Sequence, residues 1–259
     1  ALYLPLTAQK EQVFQQDYTI ASEAFGDERK ITVYFPPKYY QTENTKYNVT
    51  YILDGHYSPF IDQVVKVIEY NVNAREVAPT IIVGIHAKNR GSEFSNPKPE
   101  DENQRGRAPA LRAHLRNEVI PFITGKYPEL GEHRTLIGHS SGGTFVLQTV
   151  FSEEADIFDA YIGISPALRK GQNTVLADAE KHLSAGKKFP VFLYASTGSV
   201  GSREEIFSPA LDKLNAILAK HPQHGIDWHR DLFVGLGHFS VVAPSVVEGL
   251  TDLAAALKP

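Results

Sequence analysis

The feature that most limits how this chain can fold is an alternation of short β-branched or aromatic runs with longer helical patterns, sustained over most of its 259 residues. Strand candidates are residues 30–35, 48–53, 80–85, 135–137, 160–164, 190–195 and 230–234. Helical periodicity covers residues 61–71, 111–127, 142–151, 174–185, 208–221 and 243–257. A strand covered on both faces has no polar side to show water. The nearly continuous apolar character of the last five runs therefore predicts a parallel sheet with crossover helices on both faces. The first two runs, joined by the polar stretch 40–46, predict an antiparallel hairpin at the sheet edge.

One strand-to-helix junction carries chemistry. The apolar run Thr135-Leu136-Ile137 leads into Gly138-His139-Ser140-Ser141-Gly142-Gly143, and a helix-prone segment follows. Gly-x-Ser-x-Gly in that setting predicts a nucleophile elbow, in which Ser140 sits in a strained backbone conformation with its side chain clear of the sheet. The flanking glycines are required because a Cβ there would meet neighbouring backbone. Together with the element order, this predicts an α/β-hydrolase fold, organised as a single domain over residues 1–259.

A serine hydroxyl is a poor nucleophile until a base takes its proton. On such folds the partners follow in the order Ser, acid, His, and His238 fits: Gly235-Leu236-Gly237-His238 comes after the last strand and before the last helix. His221, His224 and His229 fall on the approach to that strand, at the opposite end of the sheet. The acid is expected after the strand 190–195, where Glu204 and Glu205 are both candidates. Either could orient the imidazole, and either could instead serve the first turn of the following helix, where negative charge meets the helix dipole. Asp212, Asp227 and Asp231 fit less well, being inside a helix or at a strand entry. Two N–H donors must face the oxyanion of a tetrahedral intermediate. The Ser141 N–H is one by its position after the nucleophile, and the His56 N–H, in the turn Asp54-Gly55-His56 after a buried strand, is the other.

Composition narrows the partners. With 26 Lys and Arg against 30 Asp and Glu, the net charge of -4 gives no field for a polyanion, so nucleic acid is not an expected partner. No apolar run approaches the roughly 20 residues of a membrane span. The absence of cysteine removes disulfides and thiolate ligands, and the reading needs no metal or organic cofactor. A first residue Ala1 is what cleavage of a secretory signal leaves, so a periplasmic or secreted location is the expectation, with a cytoplasmic one as the alternative. The polar, aperiodic segment 88–110 is a long loop leaving the carboxyl edge of the sheet, expected either to cover substrate or to be a solvated insertion.

The strings Tyr51-Ile52-Leu53-Asp54-Gly55, Ile81-Ile82-Val83-Gly84-Ile85, Asn89-Arg90, Phe94-Ser95-Asn96-Pro97, Glu118-Val119-Ile120-Pro121-Phe122-Ile123, Gly138 to Gly143, Ile164-Ser165-Pro166 and the region from His238 resemble the putative-esterase family of α/β-hydrolases. The resemblance runs from about residue 12 and is nearest to a siderophore-esterase branch. Feruloyl and acetylxylan esterases, S-formylglutathione hydrolase and mycolyltransferases are other members. It implies a serine esterase acting on a small-molecule ester through an acyl-enzyme, with the residue after Leu-Asp-Gly, His56, giving an oxyanion amide. The alternatives are a carbohydrate (feruloyl or acetyl) esterase, an acyltransferase, or a catalytically silent binding protein of the same fold. Ser141 replaces a larger residue common in relatives, and Ala167-Leu168-Arg169 stands where aromatic residues are frequent. Both departures are expected beside the acyl or leaving-group side of the cleft. Arg90, Arg105 and Arg107 are candidates for binding an anionic substrate, or are solvated loop charges.

Overall fold

The computed structural model describes residues 14–36, 39, 45–97, 106–169 and 174–258. Its strands are β1 (Gln15–Ser22), β2 (Asp27–Tyr34), β3 (Tyr47–Leu53), β4 (Thr80–Ile85), β5 (Leu130–His139), β6 (Ala160–Ile164), β7 (Phe192–Val200) and β8 (Asp227–Gly237). They form one mixed sheet in the order β1-β2-β4-β3-β5-β6-β7-β8. From β4 to β8 every pairing is parallel, while β1 with β2 and β2 with β4 are antiparallel.

The antiparallel edge hairpin exists, but its members differ from those expected. It joins β1 to β2 across residues 23–26, with Ser22 paired to Asp27. The strand expected as the second arm, β3, is instead interior and parallel to both neighbours, with Ile52 opposite Gly84 on β4 and Ile137 on β5. The physical reason is visible in burial. All residues of β3 but Asn48 are buried, which an edge strand would not require, whereas β1 exposes most of its side chains.

The helices are α1 (Ser58–Ala74), α2 (Arg90–Glu93), α3 (Ala108–His114), α4 (Ile120–Lys126), α5 (Ser141–Val150), α6 (Val175–Ser184), α7 (Glu204–Lys220) and α8 (Val242–Ala256), and a π-helical turn at Leu115–Val119 joins α3 to α4. Alternate residues of each strand feed opposite sides of the sheet. Ile52, Ile82, Ile137 and Ile162 pack with Phe60, Val64 and Ile68 of α1 and Val246 and Leu250 of α8. Tyr51, Leu53, Val83 and Leu136 belong to the other core, with Leu111, Phe145, Leu147 and Leu211 from α3, α5 and α7. Among the described residues no helix is long and apolar enough to cross a membrane.

Of the segment 88–110, residues 98–105 lie outside the described residues. The rest is anchored: the Arg29 guanidinium on β2 pairs with Glu93 of α2 at 2.5 Å, and the Arg107 N–H donates to Ser92 O at 2.7 Å. Because six strands run parallel, their carboxyl ends line one edge of the sheet, where open α/β folds place their ligands.

Candidate active site

At that edge β5 ends in a sharp turn. Ser140 has φ 58° and ψ −117°, and immediately precedes α5. This is strained backbone for a residue with a Cβ, held by its N–H donating to Ile164 O at 2.9 Å and its carbonyl accepting from Ala167 N–H at 3.0 Å. Gly138 is required by contact rather than by φ, since a Cβ there would run into the Gly142 carbonyl oxygen. The turn points Ser140 Oγ at His238, whose Nε2 lies 3.0 Å away.

His238 follows directly on β8, and its other ring nitrogen faces the start of α7. Nδ1 is 2.9 Å from Glu204 Oε1 and 2.8 Å from Ser165 Oγ. Ser165 Oγ donates to the same Glu204 oxygen at 2.5 Å, and the Gly198 N–H donates to Glu204 Oε2 at 2.9 Å. With Ser165 giving its single hydroxyl proton to the carboxylate, its lone pair is left for His238 Nδ1–H. The network therefore assigns the imidazole proton to Nδ1 and leaves Nε2 free to accept from Ser140.

Glu204 is 1% exposed. Burial alone would push its carboxyl up, but the hydrogen bonds from His238, Ser165 and the Gly198 N–H, with the charge of His238, outweigh that and hold it below the ordinary glutamate value. Between the two expected acids, the structure brings Glu204 to His238. Glu205, one residue along α7, is exposed and lies in the helix's first turn, where its negative charge meets the positive end of the helix dipole.

The turn after β3 is built for close approach. A Cβ on Gly55 would lie 2.5 Å from the Gly84 carbonyl carbon of β4, so only glycine lets the chain cross there. Gly55 N–H donates to Ile85 O and Tyr57 N–H to Asp54 O, so neither of these turn bonds uses the His56 N–H. Ser141 occupies the first position of α5, where an N–H has no intrahelical acceptor. Arg90 ties the two turns together, donating from Nε to Asp54 at 2.8 Å and from its terminal nitrogen to His139 O at 3.1 Å.

These groups open onto a cleft of about 470 Å³ whose wall includes Tyr57, Phe60, Ala167, Arg169, Arg203 and Phe239. Ser141, Ala167 and Arg169, the positions that depart from the family pattern, do face it, whereas Leu168 is buried. Of the arginines expected to meet an anion, Arg90 lines the cleft. Arg107 does not: its guanidinium sits 4.8 Å over the Phe25 ring, away from the site, because the hairpin turn offers it an aromatic face. Arg105 lies outside the described residues. Arg203, which carries the same charge, lines the cleft from the start of α7, 5.4 Å over the Phe239 ring.

Besides Arg203 and the Gly198 N–H, two contributors were not singled out in the sequence. Ser165 is one. His139 is the other: its Nε2–H donates to the His238 carbonyl at 2.8 Å and its ring lies 4.5 Å from that of His238. Burial, reinforced by His238 and Arg90, lowers His139 to about 4, so the ring is neutral at neutral pH. Among the described residues no cluster of three or more His, Asp or Glu could hold a metal ion.

The fold and the edge on which these residues meet are those of an α/β-hydrolase-type esterase. The chain belongs to the Putative esterase family, whose model matches residues 22–187, a span that holds His56, Ser140 and Ser165 and ends before Glu204 and His238. It is similar to the ferri-bacillibactin esterase BesA of Bacillus subtilis, 26% identical over 226 residues that cover 79% of this chain and 78% of BesA. It is also similar to a siderophore enterobactin esterase of Emericella nidulans, 32% identical over 112 residues, 42% of this chain and 36% of that protein. In fold it resembles the siderophore hydrolase EstB of Aspergillus nidulans, with a TM-score of 0.81 at 18% identity over 98% of this chain and 99% of EstB.

Proposed function

We propose that the protein is a serine esterase that works through an acyl-enzyme. The observation that carries this reading is the unbroken line from Ser140 Oγ to His238 at 3.0 Å and from His238 to the buried Glu204 at 2.9 Å. Ser140 Oγ attacks the ester carbonyl while His238 Nε2 takes its proton, and Glu204 stabilises the imidazolium that forms. The His56 and Ser141 N–H groups receive the oxyanion. When the tetrahedral intermediate collapses, the departing alcohol takes the proton from His238. Water then repeats the sequence on the acyl-enzyme, and the acid is released.

The substrate class follows from the cleft wall together with the relatives. Two relatives are named for siderophore esters, and the cleft here carries Arg90, Arg169 and Arg203 beside Tyr57, Phe60 and Phe239. A siderophore-type ester with aromatic, anionic arms suits that combination of rings and guanidinium groups. The deciding measurement is a hydrolysis panel of a catecholate trilactone, a feruloylated sugar and an acetylated sugar, alongside labelling by a fluorophosphonate. Stoichiometric labelling that disappears in Ser140→Ala, with the trilactone preferred in kcat/KM, is the expected result. A Ser140→Ala protein that still turns over esters would overturn the mechanism, and a preference for either sugar ester would overturn the substrate assignment.

A further inference from the structure

Ser165 is an unusual residue for its place. It is fully buried, at the exit of β6, with φ 39°, a left-handed conformation that glycine takes freely and a serine does not. A buried hydroxyl is tolerated only where it is hydrogen-bonded. Both bonds of this one go to the same pair of residues, Glu204 Oε1 at 2.5 Å and His238 Nδ1 at 2.8 Å. The backbone link of this turn, Ser165 N–H to Ser196 O at 2.8 Å, would survive in glycine. What glycine could not supply is the hydroxyl.

We infer that Ser165 is a positioning residue of the esterase: its hydroxyl bridges Glu204 and His238, fixing the imidazole tautomer and drawing charge from the carboxylate. The inference rests on the serine-esterase reading above. Without the hydroxyl, the Glu204 carboxylate keeps its full charge toward the imidazolium and holds it more tightly. The other groups around the pair are His139, whose ring lies tilted against that of His238, Arg169 over the Phe207 ring and Arg203 over the Phe239 ring. His238 Nδ1 lies 2.9 Å from the Glu204 carboxylate, a contact that becomes an ion pair when the imidazole is protonated.

The test is the pH profile of kcat/KM for Ser165→Gly on a p-nitrophenyl ester, with Ser140→Ala measured in parallel. Glycine accepts the backbone conformation, so the variant should fold. The expected result is a fall in kcat of about 10- to 100-fold, the rate equivalent of one charge-assisted hydrogen bond, with KM little changed. The acid limb should move to higher pH. Ser165→Cys, near in shape but a weak donor, should show the same shift to a lesser degree, and it serves if the glycine variant does not fold. Wild-type kcat and an unmoved acid limb in whichever variant folds would overturn the inference. The Ser140→Ala control separates the two levels. If it remains active the esterase reading itself fails; if it is dead while Ser165→Gly matches wild type, only the role of Ser165 falls.

Discussion

Glu204→Gln is the sharpest perturbation of the site, because it removes a charge at almost constant volume from a residue that is 1% exposed. The carboxylate accepts from three donors: Ser165 Oγ–H and His238 Nδ1–H on one oxygen, and the Gly198 N–H on the other. An amide has one acceptor oxygen and one NH2. Whichever way it is turned, its NH2 meets a donor, either the Gly198 N–H or the pair on the opposite side. The relief open to the site is for His238 to take the other tautomer, accepting at Nδ1 and carrying its proton on Nε2. That ring cannot take a proton from Ser140. Exchanging the triad acid for its amide in a chymotrypsin-type protease drops kcat by roughly 10⁴, through the same wrong tautomer. Here the expected loss is about 10³ to 10⁴, equivalent to about 4 to 5.5 kcal/mol of barrier. Glu205→Gln alters an exposed side chain and should stay within about twofold of wild type. The assay is kcat/KM on a p-nitrophenyl ester together with the rate of fluorophosphonate labelling at Ser140. A Glu204→Gln enzyme within tenfold of wild type, or a Glu205→Gln enzyme equally crippled, would refute the reasoning.

Two further outcomes are expected. His139 has a folded-state value of about 4, below the 6.5 of the free side chain, so the unfolded chain binds its proton first as pH falls. Its contribution is complete above 6.5 and declines toward 4, so urea titrations should show wild type losing about 3 kcal/mol more than His139→Gln between pH 7 and pH 4; superimposable pH dependences would exclude this. Gly55→Ala places a Cβ 2.5 Å from β4 backbone and must push away the turn that presents the His56 N–H. Its kcat should fall about 100-fold or more with KM less affected, as when one oxyanion donor is lost, and an unaltered kcat would remove His56 from that role.

The sheet was legible wherever burial on both faces makes a strand apolar along its whole length. Runs 80–85 and 160–164 match β4 and β6 residue for residue. The other runs differ from their strands at the ends, where polar residues interrupt the apolar pattern: β5 also takes in Glu132 and Arg134, β8 also takes in Asp227 and His229, and β7 runs on through Ser196 to Gly198, which pair with β8 all the same. β1 gave no signal. Its side chains are largely solvated, so its place in the sheet comes from ladder hydrogen bonds to β2, which any sequence can make. Missing it displaced the hairpin by one strand and put β3 at an edge it does not occupy.

The site divides along the same physical line. Ser140, His238 and the Asp54-Gly55-His56 turn could be read from local chain geometry, because each sits at a strand end whose position the pattern determines. The choice between Glu204 and Glu205 was also present in the sequence, as helical phase. The buried stripe of α7 runs through Phe207, Leu211, Leu214 and Leu218, and stepping back three residues from Phe207 lands on Glu204. Glu205 is offset by about 100° and shares the side of Asp212, which is exposed. A carboxylate at the head of an apolar stripe is directed into the protein, and it is stable there only if donors meet it. Ser165 and the Gly198 N–H are those donors, and neither is near Glu204 on the same element: one directly follows β6 and the other lies on β7. No local pattern could name them, since they become neighbours only when β6, β7 and the start of α7 are assembled. The acid is therefore encoded locally by phase, and its ionised state is encoded by tertiary packing.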